Sequence, residues 1–290
     1  MNNDLIRLLP KRYADAHKGS FGRLLFLGGS SRMTGCAVLA ALGALRSGVG
    51  ILECACEQSV LNILQNRIYE AVYTLLPDLS TAFSDLCDQL LPRLSSASTL
   101  AIGPGLAGGN PRSLRGEALR DLIVLLSVRA PCPTVLDADA LTVFEGNTTA
   151  LKHFSRGLVI TPHPGELSVL TGRSVPDIQS DRREIALSFA REHQCTVLLK
   201  GNHTVIASPD GELTVNTTGN PYMARGGSGD VLTGIIGSLL AQGLSPYDAA
   251  RLGAYLHGGA ADLAARELGL SMLPSEIPLY IGKFILEHRV

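Results

Sequence analysis

The sequence predicts a three-layer α/β/α protein, with a mostly parallel central sheet covered by helices on both faces and an antiparallel edge. Three observations carry this prediction. Short apolar runs bounded by glycine alternate with longer stretches of helical periodicity, and such alternation builds a parallel sheet with helical covers. Two later runs are joined by Ser208-Pro209-Asp210-Gly211, a turn that folds one strand back antiparallel to the other. The composition is 46% hydrophobic with 31 glycines and no Trp, which suits small-residue helices packed on a sheet rich in Val, Ile and Leu.

The first strand is expected at residues 23–28. A helix at 35–47 follows, carrying Ala37, Ala40, Ala41, Gly43 and Ala44, and then a strand at 50–55. Strands at 99–103, 134–137 and 158–161 precede helices at 112–128, 138–144 and 165–172. A helix near 175–193 leads to a strand at 196–200, and the hairpin pairs 204–207 with 212–216. From Asp230 onward, Val231, Leu232, Ile235, Ile236, Leu239 and Leu240 recur at helical spacing. Helices then continue to 268, broken once at Gly243-Leu244-Ser245-Pro246, where Ser245 can cap and Pro246 can open the next helix. There is no linker, repeat or low-complexity segment, so residues 1–290 are expected to form a single domain.

Lys plus Arg number 25 against 26 acids, so no basic excess draws nucleic acid or an anionic membrane. The expected partner is a small molecule. No stretch reaches the roughly 20 uninterrupted apolar residues of a membrane span, and the N-terminus lacks a signal-peptide pattern, which makes the cytoplasm the expected compartment. The six cysteines are scattered, and Cys54 and Cys56 fall on one face of a strand without a C-x-x-C pair. They read as reduced core thiols rather than zinc ligands.

In open α/β sheets ligands bind beyond the carboxyl ends of the strands, and the unusual residues gather there. Gly28-Gly29-Ser30 leads into Gly35-Cys36-Ala37, which reads either as close helix–sheet packing or as a helix N-terminus kept small for a ligand. Gly103-Pro104-Gly105 has a sufficient explanation as a turn. Asp137-Ala138-Asp139 brings two carboxylates together: one can cap a helix, and the other can stand near a ligand hydroxyl or an indirectly held Mg²⁺. Thr161-Pro162-His163-Pro164-Gly165-Glu166 stiffens the chain around an imidazole, favouring ligand contact over core packing. Lys200-Gly201-Asn202-His203-Thr204 offers a counter-ion for phosphate where an ordinary edge lysine would also fit. Finally, Gly226-Gly227-Ser228-Gly229-Asp230 sets a glycine turn at the start of an apolar helix, an anion hole with one carboxylate beside it. Taken alone, Asp230 is a helix cap; the six segments together turn the reading to an enzyme site for phosphates.

This ordered set resembles the ADP/ATP-dependent NAD(P)H-hydrate dehydratases, from His17-Lys18-Gly19 to the final helices. The resemblance implies a ribokinase-like fold and a repair reaction in which the S form of hydrated NADH or NADPH (NADHX or NADPHX) loses water. ADP drives the reaction, giving AMP and phosphate, or ATP takes its place, with Mg²⁺ as companion. It implies nucleotide contacts from Lys200, Gly201, Asn202, His203, Thr204 and Gly229. It also implies an anion hole at Gly226, Gly227, Ser228 and Gly229, contacts to the hydrated nicotinamide nucleotide from Ala37, Gly105, His163 and Asp230, and Asp230 as the catalytic base. A homo-oligomer, with a tetramer among the options, and a separate epimerase in the same pathway are further implications. Two departures from the family pattern stand out: Leu106-Ala107 after Gly105 in place of Leu-Gly, and Cys36 in place of a smaller residue. A small-alcohol kinase of the same fold and a non-catalytic nucleotide sensor are the alternative readings.

Overall fold

The computed structural model describes residues 3–80, 82–106 and 112–289. Strand β1 (Arg23–Leu27) leads through helix α1 (Thr34–Arg46) to β2 (Ile51–Cys56), and then through α2 (Gln58–Gln65) to β3 (Val72–Leu75). Helix α3 (Phe83–Leu94) brings the chain back to β4 (Thr99–Ile102). The chain continues through α4 (Leu114–Arg129), β5 (Thr134–Leu136), α5 (Asp139–Thr142) and β6 (Leu158–Ile160). Helices α6 (Pro164–Thr171), α7 (Val175–Ser180) and α8 (Arg182–His193) precede β7 (Thr196–Leu199), β8 (Thr204–Ala207) and β9 (Leu213–Asn216). The last three helices are α9 (Ser228–Ala241), α10 (Pro246–Leu268) and α11 (Ile277–His288).

Among the described residues one nine-stranded sheet runs in the order β3-β2-β1-β4-β5-β6-β7-β8-β9. All pairings up to β6–β7 are parallel, and β7–β8 and β8–β9 are antiparallel, so the expected edge is present. Alternation along each strand divides the core into two halves. Leu24 and Phe26 pack with α1, α2, α9, α10 and α11, whereas Leu25 and Leu27 pack with α3 through α8. All six cysteines are free and buried, and Cys54 and Cys56 share one core. No helix among the described residues is long and apolar enough to cross a membrane.

Three local departures from expectation have physical reasons. The stretch between the expected strands at 50–55 and 99–103 contains α2, β3 and α3; β3 is a short edge strand with Val72 and Leu75 exposed, so it carries neither a buried run nor a clean alternation. The expected helix 175–193 is two helices broken at Asp181, whose backbone leaves the helical region at φ −142° and ψ 54°. The helix expected at 138–144 starts only at Asp139, because Ala138 takes φ 52°. The small residues of α1 also serve a different contact from the helix–sheet packing first suggested. They let α1 and α9 meet backbone to backbone: a Cβ on Gly43 would lie 2.3 Å from the Val231 carbonyl oxygen, and one on Gly234 would lie 1.9 Å from that of Ala40. This crossing holds the starts of both helices at the carboxyl ends of the strands.

Candidate active site

Main-chain hydrogen bonds fasten five of the predicted segments to one another. Gly29 N–H donates to the Pro104 carbonyl at 2.7 Å, Asp137 N–H to Ile102 at 3.1 Å, Thr161 N–H to Leu136 at 3.1 Å and Lys200 N–H to Pro162 at 2.8 Å. The glycine- and charge-bearing strand ends are therefore consecutive neighbours across β1, β4, β5, β6 and β7. The chain steps outward from β1 to β2 and β3, then in the opposite direction from β4, and a crevice forms at such a reversal.

An ionic chain crosses this floor. Asp137 is 1% exposed; its Oδ1 accepts from Lys200 Nζ at 2.7 Å and its Oδ2 from Thr233 Oγ1 at 2.7 Å. Asp137 is thus no helix cap, since no side chain caps α5. Thr233 Oγ1 lies 3.2 Å from the Gly229 carbonyl oxygen, tying the network to the first turn of α9. Lys200 Nζ also stands 3.5 Å from Glu166 Oε2. Burial pulls the lysine pKa down, but Asp137 and Glu166 outweigh it and hold that pKa above its ordinary value. Glu166 itself is raised by burial and by Asp137, against the pull of Lys200. Buried charges persist when they are paired in this way.

Asp230 stands at the centre of this field. Helix α9 is capped by Gly227 at φ 100° and by no side chain, so Asp230 does not act as a cap. Burial first, then Asp137, pushes its pKa up to about 6, with Asp139 and Glu166 adding and Lys200 opposing. Beside it, Ser228 Oγ is buried without a hydrogen-bond partner among the described residues. A helix start leaves its first N–H groups open; Ser228 N–H donates to the Arg225 carbonyl at 3.4 Å, so the donors of this turn are those of Gly226, Gly227 and Gly229, next to a carboxylate whose pKa is pushed up to about 6.

The residues expected to bind nucleotide divide between two directions. A Cβ on Gly229 would lie 3.3 Å from Lys200 Nζ, so these two face each other. Gly201 is flanked by Arg182, which donates to the carbonyls of Leu199 and Lys200 at 2.9 and 3.3 Å, and Thr204 Oγ1 donates to the Gly201 carbonyl at 3.0 Å. Asn202 and His203 instead line an open cleft with Arg182 and Arg183. The Lys200 ammonium is committed to carboxylates and the Gly201 carbonyl to Thr204, leaving the cleft beside Asn202 and His203 open to a ligand.

On the other side, Gly105 takes φ 69° and a Cβ there would lie 2.2 Å from Cys36 Sγ. The Cys36 thiol donates to the carbonyls of Met33 and Pro104 at 2.9 and 3.2 Å, joining the start of α1 to the turn after β4. Burial and then Asp230 push its pKa up to about 12, so it stays a thiol. Ala37 is fully buried, packed beside Gly29. Ala107 lies outside the described residues. His163 caps α6: its Nδ1 accepts from Glu166 N–H at 3.1 Å, while its side chain remains 55% exposed.

Three contributors escaped the sequence reading, each a polar residue within an apolar helix. Thr233 is the link described above. Asp262 on α10 accepts from Gly219 N–H and Asn220 Nδ2, both at 2.9 Å, and pins the loop that enters the glycine turn. His257 is buried, its Nε2 without a hydrogen-bond partner among the described residues, and burial, with Lys200 nearby, lowers its pKa to about 4. Their signal was a lone polar side chain in an Ala, Gly and Leu pattern. No cluster of three or more His, Cys, Asp or Glu that could hold a metal occurs among the described residues.

The chain is similar to proteins of known family. The family model for NAD(P)H-hydrate dehydratase matches residues 24–283. A bifunctional NAD(P)H-hydrate repair enzyme of Moorella thermoacetica is 49% identical over 90% of this chain and 48% of that protein; the chain spans about half the length of such relatives. An ADP-dependent (S)-NAD(P)H-hydrate dehydratase of Bacillus subtilis is 38% identical over 88% of this chain and 85% of that protein. The ADP/ATP-dependent NAD(P)H-hydrate dehydratase of Bacillus subtilis, co-crystallised with ATP and Mg²⁺, superposes with TM-score 0.82 at 32% identity, covering 100% of this chain and 98% of that one. A Thermotoga maritima ribokinase superposes with TM-score 0.58 at 12% identity, over 91% and 99% of the two chains, a likeness of fold. With a family match across nearly the whole sheet, the chain belongs to the NAD(P)H-hydrate dehydratase family and has its ribokinase-like fold.

Proposed function

We propose that this protein returns the S form of hydrated NADH or NADPH to NADH or NADPH at the expense of ADP, releasing AMP and phosphate. The observation that carries the reading is Asp230, a carboxylate whose pKa is pushed up to about 6 at the N-terminal turn of α9. Hydroxide is a poor leaving group. In the proposed reaction Asp230 accepts the proton of the ring hydroxyl as that oxygen attacks the terminal phosphorus of ADP, and AMP departs. Open N–H groups of Gly226, Gly227 and Gly229 stabilise the transferred charge. The ring nitrogen then supplies the electron pair that expels phosphate, and the cationic ring so formed loses a proton from the carbon beside the former hydroxyl to restore the reduced ring.

ADP as the donor is supported by the ADP-dependent relatives of Bacillus subtilis and Neisseria meningitidis, of which this chain covers 85% and 86%. With Asp137 and Glu166 held by Lys200, Mg²⁺ fits as a companion of the nucleotide phosphates rather than in a protein cage. The R form would need a separate epimerase. Exposed Leu114 and Val128 on α4 and Leu279 and Leu286 on α11 support self-assembly, which sedimentation of the purified protein would reveal.

The activity test follows absorbance of the reduced nicotinamide after mixing protein with the S form of hydrated NADH and Mg²⁺, with ADP, ATP or no nucleotide. Recovery with ADP is the expected result. No recovery with either nucleotide overturns the reading and turns attention to small-alcohol kinases. His163→Ala is expected to raise the Michaelis constant for the hydrated nucleotide about tenfold with a smaller change in kcat, the pattern of lost substrate binding. An unchanged Michaelis constant would remove His163 from the substrate site.

A further inference from the structure

Glu166 occupies the first turn of α6 and is 7% exposed. Its N–H donates to His163 Nδ1 at 3.1 Å, and its Oε2 accepts the His163 N–H at 2.7 Å. Those two bonds form a capping box and would exist in a protein with no site at all. Two other contacts fall outside the cap: Oε1 lies 3.4 Å from His163 Nε2, and Oε2 lies 3.5 Å from Lys200 Nζ. One buried carboxylate therefore touches the imidazole assigned to the nicotinamide nucleotide and the cation at the end of β7. Through Asp137 and Thr233 the same chain continues to the Gly229 carbonyl.

We propose that Glu166 is a positioning residue whose charge clamps the His163 ring and the Lys200 ammonium together, setting the two halves of the site relative to each other. It deepens the activity proposed above, and its kinetic consequences rest on that reading; its effect on Lys200 does not. The charged groups acting on Asp230 are Asp137 after β5, Lys200 after β7, Asp139 on α5 and Glu166 on α6, and the Cys36 thiol on α1 feels Asp230 in turn. Removing the Glu166 charge takes one of the groups that hinder ionisation of Asp230 out of this set.

Glu166→Gln isolates the charge, because Gln serves equally at the third position of a capping box. The melting temperature should stay close to the parent value. Acetylation of Lys200 by an amine-reactive ester, read by peptide mass spectrometry, should become several-fold faster as the ammonium loses one of its two carboxylates. Glu166→Asp keeps the charge one methylene back and should give intermediate labelling. Labelling equal to the parent protein in both variants would reduce Glu166 to a helix cap and overturn the proposal. In the dehydration assay, Glu166→Gln should raise the Michaelis constant for the hydrated nucleotide about tenfold and move the acid limb of the rate profile to lower pH. An unmoved limb and constant would likewise overturn it. A parent protein that labels as expected but does not dehydrate overturns the activity reading alone.

Discussion

Asp230→Asn is expected to lower turnover roughly 10²- to 10⁴-fold, the usual contribution of a positioned general base, while nucleotide binding is largely preserved. Calorimetric titration with ADP and Mg²⁺ beside the absorbance assay checks both halves. Near-normal turnover would refute the base. The parent protein should lose kcat/KM as pH falls through about 6, where Asp230 takes up its proton. The same residue has an opposite effect on stability. Its folded-state pKa is raised, chiefly by burial, so its stabilising contribution is present in full below the unfolded-state value near 4 and is lost as pH rises through about 6. Asp230→Asn should therefore raise the melting temperature at pH 7 to 8, with the gain shrinking toward pH 4. Loss of activity together with gain of stability is the signature of a charge held in place for chemistry.

Gly234→Val is expected to abolish folding or to destabilise by about 3 kcal/mol or more, at or beyond the upper end of ordinary overpacking. A Cβ at that position would lie 1.9 Å from the Ala40 carbonyl oxygen and 2.9 Å from the Ala44 nitrogen, and backbone in the middle of a helix cannot step aside as a side-chain tip can. Because α1 and α9 both begin at the strand ends, forcing them apart would also displace Asp230 from Lys200. Soluble yield and thermal melting measure the effect. Gly226→Ala is the control: a Cβ there meets nothing within 4 Å, so the melting temperature should hardly move. Equal melting of Gly234→Val and the parent protein would show that the α1–α9 crossing is not a close backbone contact in solution.

Much of the fold was legible in the chain because its elements follow periodicities that depend on nearby residues alone. The apolar runs marked β1, β4, β5, β6 and β7, and Asp210-Gly211 marked the hairpin. Those signals failed where burial is partial or the backbone bends. Edge strand β3 buries little, and nothing apolar or glycine-rich announces the break at Asp181.

For the site, local chemistry selected the segments: glycines where a helix starts, prolines around His163, and charges at the ends of apolar runs. The ordered set also carried the family resemblance that the match over residues 24–283 bears out. What the sequence by itself determined was thus which strand ends carry the glycines and charges, and that Asp230 opens α9. Only the tertiary structure decided how those groups pair. Lys200, which reads in sequence as an edge lysine or a counter-ion for phosphate, is held at 2.7 Å by Asp137, 63 residues earlier, and Asp137 is held in turn by Thr233, 96 residues later. The reason is physical. A periodicity records the face a residue shows to its own element, whereas burial, counter-charge and the pKa of Asp230 arise between elements that meet only when the sheet is assembled.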